Sequence, residues 1–170
     1  MLKEIVARRA SRDFDPNRPV EKEKLDEIIE AGLYAPSGMN AQTSIIIVIS
    51  DKKTRDALAK LNASIMGRDG DPFYGAPTIC LVAALKDGLC YHDGAATIEN
   101  MLIEATHQGV DSCWVHRAKE ELQSEEGREI LASTGLDFTQ YIGIGHVCLG
   151  YSMGAPKRPR IIRPCRVYKI

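Results

Sequence analysis

Three apolar runs limit what this chain can become: "SIIIVIS" at 44–50, "TICLVAAL" at 78–85 and "YIGIGHVCLGY" at 141–151. A strand with one wet face alternates polar and apolar residues, whereas an unbroken β-branched run suits a strand covered on both sides. Ile45 to Ile49 therefore reads as a central strand. None of the runs approaches the ~20 apolar residues of a membrane-spanning helix. The chain must build a sheet and supply helices for its faces.

The helices follow from apolar periodicity. Residues 2–10 form a short amphipathic start, with Leu2, Ile5 and Val6 on one face. Glu21 to Tyr34 carries Leu25, Ile28, Ile29 and Leu33 at helical spacing, and Gly32 and Pro36 mark its end. Asp51 is the expected N-cap of a helix reaching about Leu61. Asp93 to Gly109, with Asp93 as a possible cap, is apolar along Ala95, Ile98, Met101, Leu102 and Ala105, and Glu120 to Ser133 is also helical. "DSCWV" is a short strand and "PCRVYKI" a terminal one. With no internal repeat, low-complexity segment or linker, residues 1–170 read as one domain.

The formal net charge is −1, which argues against a nucleic-acid binder that works through overall charge. The N-terminus lacks the apolar stretch of a signal peptide, and five cysteines without export signals point to reduced thiols in a cytoplasm.

The basic residues are clustered. "RRASRDF" sets Arg8, Arg9 and Arg12 within five positions, and Lys157, Arg158, Arg160, Arg163, Arg166 and Lys169 close the chain. In a continuous helix Arg8 and Arg12 would share a face. They either complement the dipole at the end of a first helix or grip an anion, most simply a phosphate. The ends of compact domains often meet, so both clusters could surround one anion; otherwise the second is a solvated basic tail. There is no Walker-type loop, and "GIGHVCLG" is not spaced as a dinucleotide fingerprint. A phosphate here would need arginine side chains in place of a glycine cradle.

The loop "APSGMNAQ" runs into a buried strand. Asn40 and Gln42 each offer a donor and an acceptor to the edge of a heterocycle, and Ser37 and Gly38 allow a flat ring close. The same composition also describes a helix-ending loop with Asx-type turns. Trp114, the only tryptophan, suits a pocket wall or plain packing. Cys113-x-x-His116, His146-x-Cys148 and Cys90-x-His92 look like metal-ligand pairs, but on strands and a helix start they lack the turns of structural zinc sites, so no metal is expected. Cys113 and His116, three apart on a strand, point to opposite faces and make a weak nucleophile pair.

Taken in order, "RRASRDF", "APSGMNAQ", "GAP" before a strand, "DGAATIENMLIEATHQGVDSCWV", "GIGHVCLGY" and the basic end resemble the FMN-dependent nitroreductase family along nearly the whole chain. "HRAKEEL" after the tryptophan is similar to its small members. Two departures stand out. Ala10 lies where the family often has serine, and Thr43–Ser44 where it often has Pro-Trp.

The resemblance implies an α+β fold, a three-layer α/β/α sandwich with a central mixed, mainly antiparallel sheet. It also implies an intertwined homodimer with FMN at the subunit interface. Arg8, Arg9, Ala10 and Arg12 would approach the FMN phosphate and pyrimidine edge, and Arg158 and Arg160 would complete the phosphate grip. Pro36, Ser37, Gly38, Asn40 and Gln42 would cover the flavin from the partner subunit. The turn of Trp114, Val115 and His116 would approach the ring, with backbone amides near its N5. The implied activity is NADH- or NADPH-dependent reduction of a nitroaromatic, quinone or similar acceptor by a ping-pong cycle, with no single catalytic side chain assigned. Two other readings stay open: a flavin carrier or redox sensor without turnover, and a small module whose basic ends meet an acidic partner or nucleic acid.

Overall fold

Strand β2 (Thr78–Leu85) shows how the molecule is layered. It lies between β1 (Ser44–Ile49) and β4 (Tyr141–Gly150), and β3 (Asp111–Val115) completes the order β1-β2-β4-β3. Seven of its eight residues are buried. Ile79, Leu81 and Ala83 enter one core with Phe14, Leu58, Phe73 and Leu122, while Cys80 and Val82 enter the other with Ile28, Ile98 and Met101. That alternation is the two-residue period of a strand, with both faces covered. The structure, a computed structural model, describes residues 1–86 and 88–170.

Helices α2 (Lys22–Leu33) and α4 (Cys90–His107) cover one face; α3 (Lys52–Met66), α5 (Ala118–Gln123) and α6 (Glu125–Ile130) cover the other. The result is the expected three-layer α+β sandwich. The four strands pair antiparallel throughout, and a parallel bridge from Ala10 to Ser112 supplies the mixed element. Among the described residues, no helix is long and apolar enough to cross a membrane.

Asp51 caps α3 as expected, accepting from Thr54 N at 2.8 Å, and α3 runs on past Leu61 to a left-handed Gly67. Elsewhere the structure corrects the sequence reading. Helix α1 spans only Lys3–Ala7, so Arg8 caps it, Arg12 lies beyond it, and the two share no helix face. Strand β1 is an edge strand, not a central one, with Val48 exposed on it. The helix expected over 120–133 breaks at Ser124, whose hydroxyl accepts from Gly127 N at 3.0 Å and starts α6. Helix α4 begins at Cys90, so Asp93 sits in its first turn and is not its cap. No strand forms over "PCRVYKI": Pro164 removes a donor, and Ala10–Ser11 already occupies the β3 edge.

One irregularity positions the site. Val82 pairs with Gly145 and Ala83 with Gly143, which leaves Ile144 as a β-bulge. A Cβ on Gly143 would stand 2.1 Å from the Ala118 carbonyl oxygen, a backbone atom that cannot swing away. We expect Gly143→Ala to lower the unfolding free energy by about 2 kcal/mol in urea titrations. A Cβ at Gly67 meets nothing within 4 Å, so Gly67→Ala should cost only the left-handed backbone term, about 1 kcal/mol.

Candidate functional site

The two basic ends of the chain meet. After α1 the backbone runs beside β3, and Ser11 N donates to Ser112 O at 3.0 Å. After β4 it returns to the same place. Asp13 holds the return, accepting from Ser152 Oγ at 2.7 Å and Ala155 N at 2.6 Å, and the Ser152 hydroxyl foremost keeps its carboxyl below the usual range. Lys157 pairs with Asp111. Between the two segments lies a cleft of about 130 Å³ lined by Ala10, Ser11, Arg12, Lys157 and Arg158.

The predicted arginines divide here. Arg12 and Arg158 share the cleft, with the Arg12 guanidinium 5.9 Å from the Tyr74 ring centre. Arg9 turns back, donating through Nη1 to the carbonyls of Val6 and Arg8, each at 2.7 Å. Arg8 reaches toward Glu99, Nε to Oε1 at 4.0 Å. Arg160 is exposed and outside the cleft lining.

The predicted loop forms a second feature. Gly38 N donates to both Asp93 carboxylate oxygens, at 3.1 and 3.3 Å, which ties the loop to the first turn of α4. Gln42 N donates to Ser37 Oγ at 2.9 Å, and Gln42 Nε2 to Asn40 Oδ1 at 3.0 Å. Met39, Asn40 and Gln42 have φ of 51°, 56° and 51°. Three non-glycine residues in left-handed backbone within one loop is strain of the kind that collects at ligand sites. Pro36, Ser37 and Gln42 line a cavity of about 180 Å³ with Ser44, Asp93 and Thr97.

The third feature is aromatic. Tyr91, Trp114 and His116 wall a cleft of about 320 Å³ with Ala95, Gly143 and Ile144. The Trp114 and His116 ring centres are 6.0 Å apart. Gly145 leaves room for the indole, since a Cβ there would stand 2.2 Å from Trp114 Nε1. That Nε1 is buried and makes no hydrogen bond among the described residues. Val115 points the other way into the core, so only its backbone can serve this cleft. Cys113 joins Val115 there, and burial raises its thiol above the ordinary range, which leaves it a poor nucleophile. Ser112, beside the basic cleft, and Trp114 are two strand residues apart, about 7 Å.

Beneath the aromatic turn lies a network that sequence reasoning missed. Asn62 is fully buried on α3, and its Nδ2 donates to His116 O at 2.9 Å and to Glu121 Oε1 at 2.6 Å. Glu121 Oε2 lies 2.9 Å from His146 Nε2, close but out of hydrogen-bond line, and both side chains are fully buried. The one signal in the sequence was a histidine inside the apolar run of β4. Its partners come from α3 and α5 and could not be inferred from spacing.

The sequence profile of the Nitroreductase family matches residues 5–151. A nitroreductase with bound FMN from Bacteroides fragilis superposes with a TM-score of 0.90 at 27% identity, covering 99% of this chain and 97% of that one. A protein of Archaeoglobus fulgidus, provisionally named NADH dehydrogenase/NAD(P)H nitroreductase, is 29% identical over 134 residues, 76% of this chain and 75% of that one. FMN reductase (NAD(P)H) of Bacillus subtilis is 34% identical over 61 residues, which cover 36% of this chain and 24% of that protein.

Proposed function

The chain belongs to the nitroreductase family, and from that premise we propose that it is an FMN-dependent oxidoreductase that works as a homodimer. The observation that carries this reading is the meeting of the chain ends. Arg12, Lys157 and Arg158 share a small cationic cleft beside the segment paired to Ser112 of β3, and Trp114, two residues further along the same strand, lines an aromatic cleft. The donor set fits FMN. Guanidinium and ammonium groups suit a phosphate, and flat aromatic walls suit a planar ring.

Arg12 and Arg158 hold the phosphate end, with Arg8, Arg9 and Arg160 near enough in sequence to join them. Ala10 allows close approach of the backbone. Trp114 and His116 would wall the ring, and the backbone amides of the Trp114–Val115–His116 turn would serve its N5 region, where hydrogen-bond donors stabilise negative charge. FMN, when bound, would supply the hydride chemistry for NADH- or NADPH-dependent reduction of a nitroaromatic, quinone or similar acceptor in alternating half-reactions.

The second subunit completes the site with Pro36, Ser37, Gly38, Asn40 and Gln42 of the partner subunit. A dimer is favoured by the apolar surface left bare: Leu2 just before α1, Val6 on it, and Ile161, Ile162, Val167 and Tyr168 in the C-terminal segment are exposed. Five free cysteines, four of them buried, support a reducing compartment such as the cytoplasm.

The visible spectrum of the purified protein, followed by anaerobic NADH or NADPH addition, tests the proposal. Flavin bands that bleach with either nucleotide are expected. Bands that bleach only with dithionite would make the protein a flavin carrier. A protein that stays colourless after incubation with FMN would refute the reading.

A further inference from the structure

We infer that the aromatic cleft takes a planar reactant bearing an anionic group, and that Arg117, helped by Lys119, reads that group. The inference rests on the flavin reading above and deepens it.

Arg117 has φ 85° and ψ 0°, a conformation open to glycine and disfavoured for a long side chain. The backbone on both sides is pinned: Asn62 Nδ2 donates to His116 O at 2.9 Å, and Glu121 N donates to Arg117 O at 3.0 Å. The strain is therefore held in place and not relaxed away.

The fold gains little from the arginine in return. Its Nη1 lies 3.2 Å from Glu120 Oε1, and these side chains are 45% and 40% exposed. A surface pair of that kind contributes little. Glycine would be easier on the backbone, so the side chain is kept for another task.

The surroundings indicate the task. Arg117 and Lys119 both line the aromatic cleft, while Ala118 between them is fully buried and anchors the turn. The Lys119 ammonium sits 5.8 Å from the Tyr91 ring centre. Two cations and one carboxylate, Glu120, thus stand over walls formed by Tyr91, Trp114 and His116. Rings bind a planar reactant by stacking, and a guanidinium at their rim selects phosphate or carboxylate.

The anionic group has two possible sources: the extra phosphate that distinguishes NADPH from NADH, or a carboxylate on the acceptor. The test uses the FMN-loaded wild type and Arg117→Gly. Calorimetric titration compares 4-nitrobenzoate with neutral 4-nitrobenzyl alcohol, and steady-state kinetics compare kcat/KM for NADPH and NADH. Arg117→Gly is expected to melt higher, to keep its FMN, and to lose about tenfold for the anionic partner while the neutral one is unchanged. A loss confined to 4-nitrobenzoate assigns the acceptor, and one confined to NADPH the donor. Glu120→Gln, which removes the opposing charge, should tighten the same anion a few-fold.

Unchanged discrimination in Arg117→Gly with FMN still bound overturns the inference. A wild type that takes up no FMN refutes the flavin reading instead. Titration of 4-nitrobenzoate into that colourless protein, with and without Arg117, then decides the role of the arginine.

Discussion

Replacing Glu121 by alanine is expected to lower the unfolding free energy by about 3 kcal/mol, read as a shift of the urea midpoint at constant slope. Glu121 and His146 are both fully buried, Oε2 to Nε2 at 2.9 Å, and the other carboxylate oxygen accepts from Asn62 at 2.6 Å. Truncation takes from the Asn62 amide one of its two acceptors, leaving His116 O, and removes the carboxylate beside the His146 imidazole, where water cannot take its place. It also opens a void beside Phe73, whose ring centre is 4.9 Å from that of His146. Glu121→Gln keeps the volume and the acceptor for Asn62, so it should cost about 1 kcal/mol. Equal stability of the alanine variant and the wild type would show that this network does not hold α5 on the sheet.

The second large effect is on cofactor affinity. Arg12→Ala or Arg158→Ala should each raise the FMN dissociation constant about ten- to a hundredfold, since a charge-assisted hydrogen bond contributes about 1.5–3 kcal/mol. The two residues face one cleft, so their combined effect should fall short of the sum. Both side chains are exposed, and neither change should move the melting temperature by more than a degree or two. Arg9→Ala should weaken FMN only a few-fold, because the Arg9 guanidinium must first give up two carbonyl partners at 2.7 Å. Fluorescence titration of FMN into the apo protein measures all three. An Arg12 variant with wild-type affinity would remove that residue from the phosphate grip.

Local signals carried much of this molecule. Apolar runs located β1, β2 and β4, and the helical spacing of Leu25, Ile28, Ile29 and Leu33 located α2. Two clusters of arginine and lysine far apart in sequence gave the idea of a shared anion, and the structure does bring Arg12 and Arg158 to one cleft. What local reading missed depended on partners. The sequence predicts a terminal strand over "PCRVYKI", yet Pro164 lacks a donor and Ala10–Ser11 already lines the β3 edge. The helix at 120–133 broke because Ser124 offers its hydroxyl to Gly127 N, a capping choice that competes with helix continuation. The Asn62–Glu121–His146 network joins three elements, so none of its residues advertises the others.

Ile144 has a consequence for how this chain could vary in length. Its neighbours Gly143 and Gly145 pair with consecutive residues of β2, so Ile144 is surplus to the ladder. Deleting it would leave every other β4 side chain in its own layer, with His146 still facing Glu121, and would remove one wall of the aromatic cleft. Elsewhere along β4 a one-residue deletion turns the strand inside out. The sheet thus holds a position where the chain can be shortened without loss of register, and it adjoins the aromatic cleft.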